Sequence, residues 1–331
     1  MLEQYDRWIE QIKQALEKWG LYEIDGSFRT IVVSGMGGSG IVGDYIAVIN
    51  DSYGGLPVLV YKTYETPAVL SGEDLVLAIS YSGNTYETIL FVKKSLERNA
   101  RVVIVSSGGL LEKLSIENKL LFIKIPEGYV PRTSMPSMLI NTLSLLSRSG
   151  LSKITRSDVE DTLKHLENTI SKAKSIGEKL AEFIHSREGL VTIASHTPYQ
   201  PLLIRGKNEF NENSKLHVRI EIIPECFHND IVGWEKPFSR NNVSIVFKDP
   251  DNTVGTRLLD YLIDIYRENG VSVFEIDLSG PNILAKLIYG SLILGYASVY
   301  LAYLRKVDPL ATHSIRKYKE FVDSNLKYWG V

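Results

Sequence analysis

Residues 80–88, which read Ser-Tyr-Ser-Gly-Asn-Thr-Tyr-Glu-Thr, stand between two segments of different periodicity. The preceding run, residues 75–79, is continuously apolar and predicts a buried strand. The following segment, residues 88–99, carries apolar side chains at helical spacing. This arrangement, in which a hydroxyl-rich loop joins a strand to the start of a helix, suits anion binding. A helix N-terminus presents free backbone N–H groups and the positive end of its dipole.

The composition of this loop indicates which anion it would hold. Ser80, Ser82 and Thr85 provide hydroxyl donors, and Gly83 allows the backbone to bend close to a ligand. No lysine lies in the loop, which favours a small phosphate monoester over a nucleoside triphosphate with magnesium. The alternative is an ordinary β–α turn whose Ser and Thr side chains only cap the helix.

The overall composition sets further limits. The chain has 331 residues, of which 44% are hydrophobic and 23% are charged, and this length and composition predict one or two globular domains. A net charge of −2 argues against nucleic acid or a membrane as a partner held by bulk charge. The single cysteine, Cys226, excludes a disulfide within the chain and predicts a reducing, cytoplasmic compartment. Residues 1–20 lack the apolar core of a signal peptide, and the apolar stretch 284–304 contains Lys286, so we expect a buried helix there.

Strands and helices alternate along the chain, which predicts parallel sheets flanked by helices, an α/β fold. The predicted strands are residues 30–34, 56–61, 75–79, 102–105, 120–125, 190–194, 220–223, 243–247 and 271–276. The predicted helices include residues 2–19, 41–50, 88–99, 137–147, 158–184, 201–212, 253–269 and 283–304. We expect a first unit over residues 1–150, a connector helix over 151–184, and a second unit over 185–331 that ends in a C-terminal helix.

A glycine-rich segment follows the first predicted strand. Residues 35–40 read Gly-Met-Gly-Gly-Ser-Gly and satisfy the dinucleotide pattern G-x-G-x-x-G, but Lys62 follows the second strand where that site needs an acid. The segment is better paired with the serine-rich loop, since loops after parallel strands meet at the carboxyl edge of a sheet. Ser39 can then join the other hydroxyls around a phosphate, while Gly37 and Gly38 let the backbone approach the sugar.

Together the two loops resemble the sugar isomerase (SIS) domain, and the whole chain resembles the bifunctional phosphoglucose/phosphomannose isomerases. Further matches, in the order of that family, are Pro-Arg-Thr-Ser at 131–134, Asn-Glu-Asn-Ser-Lys at 211–215, His-Asn-Asp-Ile-Val-Gly-Trp at 228–234, and Val-Asp-Pro at 307–309 with Ile315 and Lys319. The resemblance implies two tandem SIS domains, each a flavodoxin-like parallel sheet flanked by helices. It also implies a homodimer with sites at the subunit interface and no cofactor.

Moving a carbonyl between C1 and C2 of a sugar phosphate requires one carboxylate that removes and returns a proton. The resemblance places the catalytic glutamate of the family at Glu212, with Glu209 as the near alternative. His228 is the candidate for opening the sugar ring, because histidine titrates near neutral pH. In the family this histidine reaches the partner subunit's site. His313 is kept as a further candidate because it lies close to the final motif.

The resemblance assigns three further roles. Arg132, in a stiff loop bounded by prolines, would stabilise the enediolate. Lys319 matches the family lysine that assists ring opening. Lys317 is the alternative, because a small shift in the alignment of this segment would put it at the same place. Thr312 would occupy the place of a threonine that favours handling of both C2 epimers.

These roles predict a sugar-phosphate isomerase that interconverts glucose 6-phosphate and mannose 6-phosphate with fructose 6-phosphate in glycolysis and gluconeogenesis. No histidine or cysteine stands at a zinc-site spacing, so we expect no metal, unlike the zinc-dependent phosphomannose isomerases. One alternative is a non-catalytic SIS sensor of phosphosugars, which we expect to carry a helix-turn-helix that the N-terminal region is too short to hold. Another is the isomerase part of an amino-sugar synthase, which we expect to carry an amidotransferase domain.

Overall fold

A computed structural model describes residues 1–187, 189–237 and 241–326. The chain forms two compact units. The first, here the N-terminal unit, contains residues 7–163 and 312–326, and the second, the C-terminal unit, contains residues 1–6 and 164–311.

The elements alternate between strand and helix over most of the chain. The strands are β1 (Thr30–Ser34), β2 (Val58–Tyr61), β3 (Asp74–Ile79), β4 (Arg101–Ser106), β5 (Leu121–Lys124), β6 (Val191–His196), β7 (Val218–Ile223), β8 (Val243–Lys248) and β9 (Ser272–Asp277). The helices are α1 (Leu2–Asp6), α2 (Trp8–Glu17), α3 (Gly37–Tyr53), α4 (Tyr86–Glu97), α5 (Gly109–Glu117), α6 (Met135–Arg148), α7 (Arg156–His185), α8 (Gln200–Glu209), α9 (Thr253–Glu268), α10 (Ile283–Leu304) and α11 (His313–Ser324).

The sheet of the N-terminal unit is parallel, with the strand order β2-β1-β3-β4-β5. Val32 at the centre of β1 pairs with Leu59 on one side and Val76 on the other. Every residue of β3 is buried, as expected for a strand covered by helices on both faces. From β1 the chain continues to β2 on one side of it and then to β3 on its other side. The crevice above β1 and β3 is therefore a topological switch point, where ligands bind in open α/β sheets.

The sheet of the C-terminal unit is also parallel and has the order β7-β6-β8-β9. Its switch point lies at the paired strands β6 and β8, in which Ile193 stands opposite Ile245. Two α/β units with parallel sheets of related order confirm the predicted fold class.

The unit boundaries differ from the expected ones at both ends of the chain. Helix α11 belongs to the N-terminal unit, because Tyr318 donates a hydrogen bond to Glu87 Oε1 (2.6 Å) and Val322 is buried. Residues 1–6 belong to the C-terminal unit, where Tyr5 is buried and packs against Tyr296 with ring centroids 5.8 Å apart. Helix α7 is not a separate connector, since the units divide it between residues 163 and 164.

Three predicted helices are also corrected. The helix expected over residues 2–19 is broken at Arg7 (φ −77°, ψ 1°), which separates α1 from α2. Helix α3 begins at Gly37 rather than at residue 41, so part of the glycine-rich segment is helical. The helix expected over residues 201–212 ends as α8 at Glu209 and continues as one wider, π-helical turn, Phe210–Ser214.

Helix α10 is long and apolar enough to cross a bilayer by length and composition alone. Most of its side chains are buried inside the unit. Lys286 on this helix is buried too, and its Nζ lies 2.6 Å from a carboxylate oxygen of Asp249 and of Asp251. This pairing offsets the cost of burying a charge, and α10 is a core helix, as predicted.

The helical layer on the first sheet makes a test of the core possible. Phe91 on α4 is fully buried, with its ring 5.9 Å from that of Tyr61. We predict that Phe91→Ala lowers the free energy of unfolding by about 3–5 kcal/mol, because the cavity loses both transfer energy and packing. Guanidinium denaturation followed by circular dichroism measures the change. Ile116→Ala, at a side chain that is 74% exposed, should change it by less than about 0.5 kcal/mol, and equal losses in both variants would contradict the packing described here.

Candidate functional site

The serine-rich loop after β3 is held in shape by the turn after β4. Gly83 has a φ of +67°, and a Cβ at this position would lie 1.7 Å from the carbonyl oxygen of Gly108. The N–H of Leu111 donates to Gly83 O (3.0 Å), and the N–H of Ser107 donates to Tyr81 O (2.9 Å). Only glycine fits the contact at residue 83, so packing against the turn after β4 constrains the conformation of the loop. This supporting turn was not predicted, although the paired glycines at residues 108–109 are a sequence signal for close packing.

The hydroxyls that sequence reasoning selected lie in this loop beside the start of α4. Ser80 Oγ donates to Thr85 Oγ1 (3.0 Å), and Ser82 Oγ accepts a hydrogen bond from the N–H of Asn84 (3.3 Å). Ser80 is buried, whereas Ser82 and Thr85 are half-buried. In these two bonds Thr85 and Ser82 act as acceptors, so their own hydroxyl hydrogens point elsewhere. The arrangement can present O–H donors together with the backbone N–H groups of the first turn of α4.

The glycine-rich segment packs directly against the same loop. A Cβ on Gly35 would lie 2.7 Å from the carbonyl oxygen of Ile79, at the end of β3. Ser39 is buried, and its Oγ accepts a hydrogen bond from the N–H of Tyr81 (3.0 Å) while it donates to Met138 Sδ (3.7 Å). Ser39 therefore joins α3 to the serine-rich loop, and the expected neighbourhood of the two motifs is observed.

The loop that carries Arg132 meets the glycine-rich segment at Gly38. A Cβ on Gly38 would lie 2.9 Å from the Cα of Arg132, so the two backbones are in close contact. Gly37 has a φ of +52° and open space beside it. The turn Pro131–Thr133 is tightened by Ser134 Oγ, which donates to Pro131 O (2.8 Å). Arg132 itself is only 5% exposed, and a positive charge in a site of low dielectric acts strongly on a nearby anion.

Helix α11 brings Lys319 to the same unit. The hydrogen bond from Tyr318 to Glu87, which lies in the first turn of α4, docks α11 near the start of that helix. This bond raises the pKa of the Tyr318 hydroxyl to about 12. Thr312 occupies the cap position of α11, and Lys317 and Lys319 are both exposed, so exposure does not distinguish between the two lysines.

Glu212 and His228 lie in the C-terminal unit. Glu212 is half-buried on the π-helical turn, a local geometry that is frequent at functional sites. Ser214 Oγ donates to Phe210 O (2.8 Å), and Lys215, in the left-handed region at φ +55°, ends the turn. The Lys215 ammonium donates to Glu212 O (2.7 Å), so its charge covers a carbonyl at the C-terminal end of the turn.

The alternative base, Glu209, has a different environment. It is buried, and its carboxylate accepts hydrogen bonds from the Tyr5 hydroxyl, from Arg205 Nη2 (2.5 Å) and from Asn213 Nδ2 (3.0 Å). Three donors, one of them the guanidinium of Arg205, satisfy this carboxylate inside the unit. Glu209 is therefore a structural carboxylate, and Glu212 stays the predicted base.

His228 is exposed on a short turn, Glu225–His228, whose base is anchored in the interior. Buried Glu221 accepts from Trp234 Nε1 (2.9 Å) and forms an ion pair with Arg219 (3.0 Å), which also donates to Asp230 Oδ1 (2.6 Å). These bonds hold both ends of the segment and leave the imidazole on the surface.

Two other titratable groups, Cys226 and His165, are structural. Burial raises the pKa of the Cys226 thiol to about 12, which makes it a packed side chain rather than a nucleophile. Burial also lowers the pKa of His165, which lies 3.2 Å from Ser279 Oγ. Within residues 1–187, 189–237 and 241–326, no three His, Cys, Asp or Glu side chains are grouped closely enough to hold a metal ion.

Comparison with known proteins identifies both units. Residues 27–146 match the model of the SIS domain, and residues 173–322 match the bacterial phospho-glucose isomerase C-terminal SIS domain. A bifunctional phosphoglucose/phosphomannose isomerase from Aeropyrum pernix is 35% identical over 98% of both chains. A D-glucosamine-6-phosphate 4-epimerase from Sulfolobus acidocaldarius is 27% identical over 90% of both chains. The C-terminal domain of glucosamine-fructose-6-phosphate aminotransferase from Francisella tularensis matches with a TM-score of 0.72 at 17% identity, over 93% of this chain and 96% of that one, and shares the fold.

The contact between Gly83 and Gly108 can be tested by substitution. We predict that Gly83→Ala lowers the free energy of unfolding by several kcal/mol, because the new methyl collides with a carbonyl in addition to the strain of a left-handed φ. Gly128→Ala is the matched control, since Gly128 also has a positive φ (+90°) but open space around it. The control should lose only about 1–2 kcal/mol. Denaturant unfolding of both variants measures the difference, and equal losses would show that the loop is not held by this contact.

Proposed function

Because the chain belongs to the family of bifunctional phosphoglucose/phosphomannose isomerases, we propose that it interconverts glucose 6-phosphate and mannose 6-phosphate with fructose 6-phosphate. The observation that carries the proposal is the braced loop of residues 80–85 at the N-terminus of α4, lined with hydroxyls and free of lysine. Such a loop suits the phosphate group shared by all three sugars.

In the proposed binding mode Ser82 and Thr85 donate to the phosphate oxygens, and the hydroxyls of Ser80 and Ser39 turn away from Thr85 and Met138 to donate to them as well. The backbone at Gly37 borders the sugar, because the space beside it is open, and Gly38 lets this segment pack against the loop of Arg132. The phosphate fixes the substrate so that the reacting carbons are presented in one orientation, which lowers the entropic part of the barrier.

The proposed chemistry is a proton transfer through an enediolate. The Glu212 carboxylate takes the proton from C2 of the open-chain aldose, and the C1 carbonyl oxygen becomes the anionic oxygen of the enediolate. The protonated Glu212 returns a proton to C1, while the hydroxyl proton moves from O2 to O1 and the carbonyl forms at C2. A positioned base of this kind contributes roughly 10²–10⁴-fold in rate. Arg132 stabilises the charge on the enediolate oxygens.

Ring opening and recognition of the epimers complete the proposal. His228 and Lys319 move the protons that open the cyclic sugar, and Thr312 accommodates both configurations at C2. The enzyme acts as a cytoplasmic homodimer, in which His228 of one protomer serves its partner's site. The reaction uses no metal, because the charge of Arg132 and the carboxylate of Glu212 supply the electrophile and the base.

The proposal is tested by a coupled assay of the purified protein with EDTA present. We predict turnover of both glucose 6-phosphate and mannose 6-phosphate, with rates unchanged by the chelator. Turnover of glucose 6-phosphate alone would remove the second activity. Tight binding of sugar phosphates without any turnover would instead identify a phosphosugar sensor, and inversion at C4 of D-glucosamine 6-phosphate would identify an epimerase.

The role of Glu212 is tested by Glu212→Gln. The amide keeps the shape of the side chain but cannot accept and return the carbon-bound proton, so we predict a loss of kcat of at least about 10²-fold. Binding of fructose 6-phosphate, measured by titration calorimetry, should stay within about threefold of the unchanged protein, since the phosphate contacts lie elsewhere. The matched control is Glu268→Gln at an exposed position of α9, which should leave kcat unchanged. Normal turnover of Glu212→Gln would remove the residue from the mechanism.

A further inference from the structure

Two buried polar side chains lie on the first two helices, on the sides that face the protein interior. Tyr5 on α1 and Gln11 on α2 are both fully buried, and α1 belongs to the C-terminal unit whereas α2 belongs to the N-terminal unit. We propose that both are positioning residues: Tyr5 holds the turn that carries Glu212, and Gln11 holds the loop that carries Arg132. This inference rests on the proposed function, because it assumes the catalytic roles of Glu212 and Arg132.

The hydroxyl of Tyr5 takes part in a hydrogen-bond network that reaches the residue next to Glu212. It donates to Glu209 and accepts from Asn213 Nδ2 (3.1 Å). Asn213 Nδ2 also lies 3.0 Å from Glu209 Oε2 and 2.8 Å from Ser298 Oγ on α10. Each of these four side chains is at most 2% exposed. Bonds in a site of low dielectric are strong, and a missing partner is costly there.

This network fixes the π-helical turn on one side. Asn213 is the residue directly after Glu212 in that turn, and Glu209 directly precedes the turn. A π-helical turn is wider than an α-helical one, so the direction of Glu212 depends on how the turn is held. Removing the Tyr5 hydroxyl leaves both Glu209 and Asn213 with one partner fewer. A small shift of the base relative to the substrate carbon is costly, since misplacement by 1 Å reduces rates by about 10²-fold.

Gln11 bridges the loop of Arg132 and the start of α6. Its Nε2 donates to Thr133 O (2.9 Å), and its Oε1 accepts from the N–H of Ser137 (3.2 Å). Thr133 directly follows Arg132, so one amide side chain fixes the backbone on the C-terminal side of the guanidinium. The sequence contains a signal for this residue: a glutamine interrupts the apolar face of α2, beside Trp8 and Ile12.

Tyr5→Phe tests the first half of the proposal. We expect kcat for fructose 6-phosphate to fall about 10-fold with KM within about twofold, because the phosphate contacts are untouched. The matched control is Tyr296→Phe, since Tyr296 is buried, packs on Tyr5 and donates to Asp6 Oδ1 (2.8 Å) instead of to the network. The control should lose a similar amount of stability yet keep its kcat. Equal kcat values for the two variants would overturn the role of Tyr5.

A second measurement separates this inference from the proposed function. Hydrogen exchange of the amides at residues 210–215 should speed up in Tyr5→Phe and not in Tyr296→Phe, whatever reaction the enzyme catalyses. Absence of isomerase turnover in the unchanged protein would reject the proposed function. Unchanged exchange at residues 210–215 in Tyr5→Phe would reject the positioning network by itself.

Gln11→Glu tests the second half. The carboxylate keeps the acceptor for the Ser137 N–H but loses the donor to Thr133 O, so the loop of Arg132 is released on one side. We expect kcat to fall about 10-fold and the amides of residues 131–134 to exchange faster. The control is Gln14→Glu on the same helix, which should change neither quantity. Gln14 is half-buried, and its side chain donates to Glu10 instead of to the loop of Arg132. A Gln11→Glu enzyme with unchanged kcat and unchanged exchange would overturn the proposal.

Discussion

Two neighbouring parallel strands, β1 and β3, end at the same edge of one sheet, and the proposed phosphate site depends on this constraint. Because β1 leads into the glycine-rich segment and β3 into the serine-rich loop, the two motifs must meet. The approach of their backbones is then limited by side-chain volume, which explains glycine where the segment touches Ile79 and Arg132. The loop after β4 also packs against the serine-rich loop, through the contact of Gly108 with Gly83. The geometry that would receive a phosphate is therefore a result of packing between loops.

The C-terminal unit uses a different device, a buried polar network. Arg205 and Asn213 both donate to Glu209 beneath the turn of Glu212, and Tyr5 at the start of the chain bonds to Glu209 and Asn213. Burying so many polar groups adds little net stability, since each pays a desolvation cost. What such a network supplies is a single conformation. A half-exposed carboxylate on a rigidly held turn is the arrangement expected of a base that must face one carbon and then its neighbour.

Much of the fold and part of the site could be predicted from the sequence. Elements that are buried on all sides appear as apolar runs, short for a strand and long for a helix, and for this reason β1 and α10 were predicted with the bounds that the structure shows. The hydroxyl loop and the glycine-rich segment were predicted to adjoin because loops that follow parallel strands meet at one edge of the sheet. The contact of the Arg132 loop with Gly38 was not predicted. The break at Arg7 and the docking of α11 were not predicted, since both depend on contacts across long sequence separations. The sequence also left Glu209 and Glu212 as alternatives, because the environment of Glu209 is built by Tyr5 and Arg205 rather than by its neighbours.

The central claim is that the enzyme moves a proton between C2 and C1 of a phosphorylated sugar. It is tested most directly by incubating the unchanged protein with glucose 6-phosphate in D₂O and following the carbon-bound hydrogens by proton NMR. We predict that fructose 6-phosphate forms and that deuterium enters C2 of the glucose 6-phosphate pool, as a base that exchanges with solvent requires. Isomerisation with complete retention of the original hydrogen would point to a direct hydride shift and contradict the account, and so would the absence of both isomerisation and exchange.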